Sequence, residues 1–170
     1  MSRLSKVVSS GFVALFFGAL GACALGPEKV PNLQYSVVFP SENAALYVEN
    51  LEVFAFRNYA CLDLIRDRLN GQFAENATLV ASVPSKTVCD VALFPQSFQA
   101  SFGDPATSIL VVATRPSQGA QDVLIGCATA TVGDGAFPLS IYLSSIPRPP
   151  QSSIPVSTCP SLAAKCAGGC

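Results

Sequence analysis

The chain has 170 residues, of which half are hydrophobic and only 12% charged, with a formal net charge of −1. That balance lacks the clustered Lys and Arg of nucleic-acid binders, so no nucleic-acid partner is expected. Histidine is absent, which removes the commonest general base, the Ser-His and Cys-His nucleophile pairs and every His-bearing metal site. Carboxylate, Lys and Tyr chemistry survives that inventory.

Residues 1–22 read as a secretory signal. Arg3 and Lys6 open it, an uncharged stretch with Phe12, Val13, Leu15, Phe16, Phe17 and Leu20 follows, and small residues close it. The closing order Leu20-Gly21-Ala22-Cys23 resembles the lipobox of bacterial lipoproteins. The resemblance implies cleavage between Ala22 and Cys23, acylation of the Cys23 thiol and usually of its new amino group, and attachment to membrane lipid. Ala24 after the cysteine implies, on the same resemblance, the outer membrane. Two other readings stay open. Ala22-Cys23-Ala24 also fits the small-x-small rule of ordinary signal peptidase, which would give a free secreted protein. Residues 7–25 also approach the roughly 20 apolar residues of a spanning helix, although Ser9, Ser10, Gly11, Gly18 and Gly21 dilute the run. Cysteine parity favours lipidation. Setting Cys23 aside leaves Cys61, Cys89, Cys127, Cys159, Cys166 and Cys170, an even set able to pair in an oxidising compartment.

Residues 23–32, with Gly26, Pro27 and Pro31, form a tether without regular structure. Alternation then predicts a strand over 33–39, a loop over 40–43, and a second strand over 48–56. In the second, Leu51, Val53 and Ala55 share one face and Glu52, Phe54 and Phe56 the other. Over 58–70 the rhythm changes to that of a helix, with Leu62, Ile65 and Leu69 as its apolar stripe and Cys61 beside them. Asp63, Arg66, Asp67 and Arg68 fill the remaining face, Asn58 caps the start and Gly71 closes the end. This one short helix is expected to cross from one sheet to another. The Asp63–Asp67 pair reads as part of an exposed charged face rather than a carboxylate site.

Further strands are predicted over 78–83, 87–94, 97–102, 108–114, 122–132 and 137–143, separated by proline and glycine turns. Residues 109–112 are apolar without interruption, as in a central strand covered on both sides. Gly133-Asp134-Gly135 predicts a hairpin between the last two strands. About eight short strands at even spacing define a mainly β chain folded as a β-sandwich. Residues 33–146 make that domain; 147–170, rich in Pro and Ser, read as an extended, weakly ordered tail.

Without a CxxC pair or histidine, the tail cysteines predict no metal site and are candidates for disulfides. A Cys61–Cys127 bridge would staple the helix to a strand, and Cys89 could join one of Cys159, Cys166 and Cys170. Six cysteines allow 15 connectivities, so the pairs stay open. Tyr35, Tyr47, Tyr59 and Tyr142 could line a sugar-binding face, with core packing as the simpler expectation. Glu49 and Glu52 cannot share one strand face, so no pair of facing acids for glycoside hydrolysis is found.

Leu51-Glu52-Val53-Phe54-Ala55-Phe56, Cys61-Leu62 soon after, and Leu124-Ile125-Gly126-Cys127 before the last hairpin together resemble the small immunoglobulin-like or transthyretin-like β-sandwich domains of bacterial surface lipoproteins. The resemblance implies a non-catalytic structural or binding module needing no cofactor, held by membrane lipid through Cys23 and facing an envelope protein or glycan. The alternative reading is a secreted or surface module that binds glycan or peptidoglycan.

Overall fold

The computed structural model describes residues 32–72, 77–92, 96–99, 107–119, 121–130, 139–147 and 154–170. The signal segment, Cys23 and the expected tether as far as residue 31 lie outside them, while Asn32, expected as the tether's last residue, begins a strand. Alternation in Asn32–Val38 (β1) and Asn50–Arg57 (β2) produces strands as expected, with the first shifted back by one residue and the second starting two later. β1 is the middle of a three-stranded sheet, antiparallel to Gln96–Gln99 (β4) and parallel to Leu139–Tyr142 (β7). The second sheet has five antiparallel strands in the order Thr78–Thr87 (β3), β2, Thr107–Arg115 (β5), Gln121–Ala130 (β6) and Ser144–Ser145 (β8). The two sheets pack face to face as a β-sandwich.

Between the sheets Tyr35 and Ile141 meet Leu51, Val53, Ala55, Ile109, Val111, Ala113 and Leu124. The other face of the five-stranded sheet holds a second core, Phe56, Leu110, Val112 and Ile125, closed by Leu64 of a helix over Cys61–Leu69 (α2). The unbroken apolar run of β5, residues 109–113, is therefore explained by burial of both of its faces. The predicted faces of β2 hold: Leu51, Val53 and Ala55 belong to the inner core, Phe54 and Phe56 to the outer one.

α2 corrects three expectations. It joins β2 to β3, neighbours in one sheet, instead of crossing between sheets. Its cap is Ala60 without a side-chain bond, while Asn58 adopts a left-handed φ of 59° just before. Its sheet-facing side is the buried Leu64 with the half-buried Cys61, Ile65 and Arg68, so Cys61 and Ile65 face inward as expected while Leu62 and Leu69 do not; the Cys61–Cys127 bridge and an Arg68–Asp122 ion pair set its rotation on the sheet. Leu62 and Leu69 are left 81% and 51% exposed. The predicted stop holds: Gly71 lies at φ +73°, its N–H donating to Arg68 O while Gln72 N–H donates to Asp67 O, a Schellman close.

Three more helices occur where strands, loops or tail were expected. Ser41 caps Glu42–Tyr47 (α1), its hydroxyl accepting from Ala44 N–H at 3.1 Å, so 40–43 begins a helix rather than a loop. Over their described residues, 78–83 and 87–92, the two separate strands expected do not form. β3 runs straight through Pro84-Ser85, and Val88–Ala92 (α3) follows as helix. Proline is tolerated because β3 is an edge strand and bulges there, between its pairings with Leu51 and Val53. Helix replaces strand after Thr87 because Thr87 and Asp90 cap it reciprocally: Thr87 Oγ1 donates to Asp90 Oδ2 at 2.7 Å and accepts from Asp90 N–H at 3.3 Å.

The C-terminal segment 154–170 is folded rather than extended. Ser161 caps Leu162–Cys166 (α4), and Gly168 closes it with a second Schellman pattern. Ile154 and Leu162 pack on the inner core. The hairpin expected at Gly133-Asp134-Gly135 falls outside the described residues, and its flanking strands do not form a ladder, since β6 and β7 belong to different sheets.

Candidate functional site

The predicted site residues separate into those that meet and those that scatter. Cys61 meets Cys127, Cys89 meets Cys166 and Cys159 meets Cys170, with Cα–Cα distances of 5.5, 5.3 and 5.5 Å. All three are disulfide separations. The first fastens α2 to β6, the second fastens α4 to α3, and the third closes a short loop at the C-terminus. Ala22 and Cys23 lie outside the described residues.

The four tyrosines do not converge. Tyr35 is buried between the sheets, where burial pushes its pKa up to about 12. Tyr47 lies beneath the Arg115 guanidinium, 4.2 Å from the ring centroid. Tyr59 donates its hydroxyl to Asp67 on α2, and that bond raises its pKa. Tyr142 is 69% exposed on the outer face of the three-stranded sheet. A shared aromatic platform is thereby corrected to a single exposed ring.

The carboxylates tell a consistent story. At the junction of α1 and β2, Glu49 accepts from Ser117 N–H at 3.0 Å, from the Ser117 hydroxyl, and from Arg115 Nε at 3.3 Å. Partial burial raises its pKa, but the Ser117 bonds and the Arg115 charge outweigh burial and leave it below the ordinary value. Arg68 makes a two-pronged bond to Asp122, Nε to Oδ2 at 2.8 Å and Nη2 to Oδ1 at 3.0 Å, and reaches Glu52 at 3.7 Å. The Asp122 bond, working against burial, raises the Arg68 pKa. Asp63 pairs with Arg66 at 2.8 Å, Asp90 caps α3, and Glu42 accepts from Leu162 N–H at 3.3 Å. Among the described residues every Asp and Glu side chain is thus held by a partner.

The grip on the C-terminal segment was missed at sequence level. The side chain of Asn43 donates to Pro155 O at 3.1 Å and accepts from Ser157 N–H at 2.7 Å. Lys165 Nζ donates to Leu46 O at 2.7 Å and to Val48 O, the carbonyls left over at the end of α1. Burial lowers the Lys165 pKa, with Glu49 opposing. These contacts span more than a hundred residues of chain, and their only local signal is the Ser-capped Leu-Ala-Ala-Lys-Cys run.

Among the described residues no group of three or more potential metal ligands gathers, and no helix is long and apolar enough to cross a membrane. Comparison with protein-family models finds no match, and comparisons with curated proteins and with solved structures find none either.

Proposed function

We propose that this is a lipid-anchored, non-catalytic protein of the bacterial cell envelope. Cys23 carries the acyl chains, residues 24–31 form the tether, and a disulfide-stapled sandwich of immunoglobulin-like or transthyretin-like kind serves structure or binding at the outer membrane. One observation carries the reading. The six cysteines of the folded body pair among themselves, leaving Cys23 by count the odd thiol of the seven. Acylation consumes that thiol, and the three bridges suit an oxidising compartment. The engaged carboxylates support a role without acid–base catalysis.

Anchoring has a sufficient physical basis. Each buried CH₂ contributes about 0.8 kcal/mol, so two or three acyl chains hold a protein where one binds only reversibly. Intact mass of the membrane-extracted protein tests the proposal. The expected mass is that of a chain starting at Cys23 plus its acyl groups, lighter by two hydrogens per bridge before reduction. Cys23→Ala should leave the membrane fraction or accumulate as the longer precursor; unchanged fractionation with unchanged size would overturn the anchor.

A further inference from the structure

The three-stranded sheet contains no charged residue: its strands read Asn-Leu-Gln-Tyr-Ser-Val-Val, Gln-Ser-Phe-Gln and Leu-Ser-Ile-Tyr. Among the described strands, Lys, Arg, Asp and Glu occur only in the five-stranded sheet. Register divides the small sheet cleanly. Tyr35, Val37 and Ile141 point into the core, so Gln34, Ser36, Val38, Ser97, Ser140 and Tyr142 form the outer face. They lie in cross-strand rows: Gln34 beside Ser97, Ser36 beside Ser140, Val38 beside Tyr142. The Ser36 and Ser140 hydroxyls are 3.5 Å apart. Rows about 7 Å apart make a strip about 14 Å long, amide and hydroxyl at one end and aromatic at the other.

We propose that this face binds a neutral glycan chain, the Tyr142 ring stacking on the apolar face of a sugar while Ser36, Ser140 and Gln34 exchange hydrogen bonds with its hydroxyls. Charge decides among ligand classes. A nucleic acid or another polyanion needs cations to neutralise it, and the described strands of this face carry none. A protein–protein interface needs an apolar core, which Val38 and Tyr142 alone do not supply. A neutral polymer rich in hydroxyls matches a face that is uncharged, donates and accepts, and offers one exposed ring. The inference deepens the binding role proposed above and is independent of the anchor, since an unacylated chain would carry the same face.

The test is retention of the purified, membrane-extracted protein on chitin, cellulose and dextran, with heparin as the charged comparison. Retention on at least one neutral polysaccharide is expected, unchanged as salt rises from about 0.05 to about 0.5 M, because no ion pair is involved. Tyr142→Ala should weaken it by about tenfold, the scale of one lost aromatic stacking contact. Ser140→Glu should weaken it further, whereas Leu62→Ala, at a still more exposed side chain on the far side, should not. Failure of the folded protein to bind any of the three overturns the proposal. So does retention that salt abolishes, retention unmoved by Tyr142→Ala, or a change of oligomeric state in that variant in place of lost binding. Mass spectrometry of the same preparation reports acylation separately, so failure here and failure of the anchor are distinguishable.

Discussion

Gly126 on β6 lies directly against the backbone carbonyl of Tyr142 on β7, so close that a Cβ there would collide with it. The same Cβ would lie 2.9 Å from Leu143 Cδ2. This contact brings the end of the small sheet down onto the large one, and only a residue without a side chain permits it. The obstructing atom is main chain and cannot rotate away. Gly126→Ala should therefore cost about 1–3 kcal/mol, the usual range for overpacking, seen as a lower denaturation midpoint with an unchanged slope.

The rotation of α2 makes a contrast between two leucines two positions apart. Leu64 is 1% exposed and closes the outer core, whereas Leu62 is 81% exposed. Leu64→Ala should cost about 2–5 kcal/mol through lost burial and the cavity left behind, and Leu62→Ala no more than about 0.5 kcal/mol. Equilibrium unfolding of the two variants checks this. The reverse ranking would mean that the helix sits on its other face.

The bridges should rank by the chain they close. Sequence separations are 66 for Cys61–Cys127, 77 for Cys89–Cys166 and 11 for Cys159–Cys170. On the loop-entropy estimate, replacing either long bridge by paired serines costs about 4 kcal/mol and replacing the short one about 3 kcal/mol. Loss of Cys89–Cys166 should also loosen α4. Tryptic cleavage after Lys165, slow while its ammonium is tucked against the end of α1, should accelerate in that variant, and mass spectrometry of the digest reads the difference.

Glu49 supplies an acid-limb prediction. Its folded pKa lies below the unfolded reference of 4.5. Its contribution to stability is then fully present above that reference and is lost as the pH falls through the folded value. The side chain is 31% exposed, so solvent screening limits the effect to under about 1 kcal/mol. Glu49→Gln should flatten this part of the decline between neutral and acidic pH while leaving unfolding above neutrality with no further pH dependence from this group. Unfolding curves across that range, for both proteins, are the measurement.

Much of the layer order was legible locally. The two faces of β2, the unbroken apolar run of β5, the Gly71 stop and the turn at Pro116–Gln118, ending in Gly119 at φ +81°, all follow from dihedral preference and alternation carried by a few neighbouring residues. The reciprocal cap of Thr87 and Asp90 was equally local, but a run of β-branched residues concealed it.

Only the tertiary structure decided the rest. Which stripe of α2 is buried depends on Cys127 and Asp122, far along the chain, because an amphipathic helix with leucines on two sides can turn either to a sheet. Whether Pro84 ends a strand depends on β3 lying at an edge, and whether the last 17 residues fold depends on the side chain of Asn43 and the carbonyls of α1 waiting to receive them. The charge-free sheet is written in three short strands separated by long stretches of sequence. Its neutrality becomes one continuous face only when β1 brings β4 and β7 to either side.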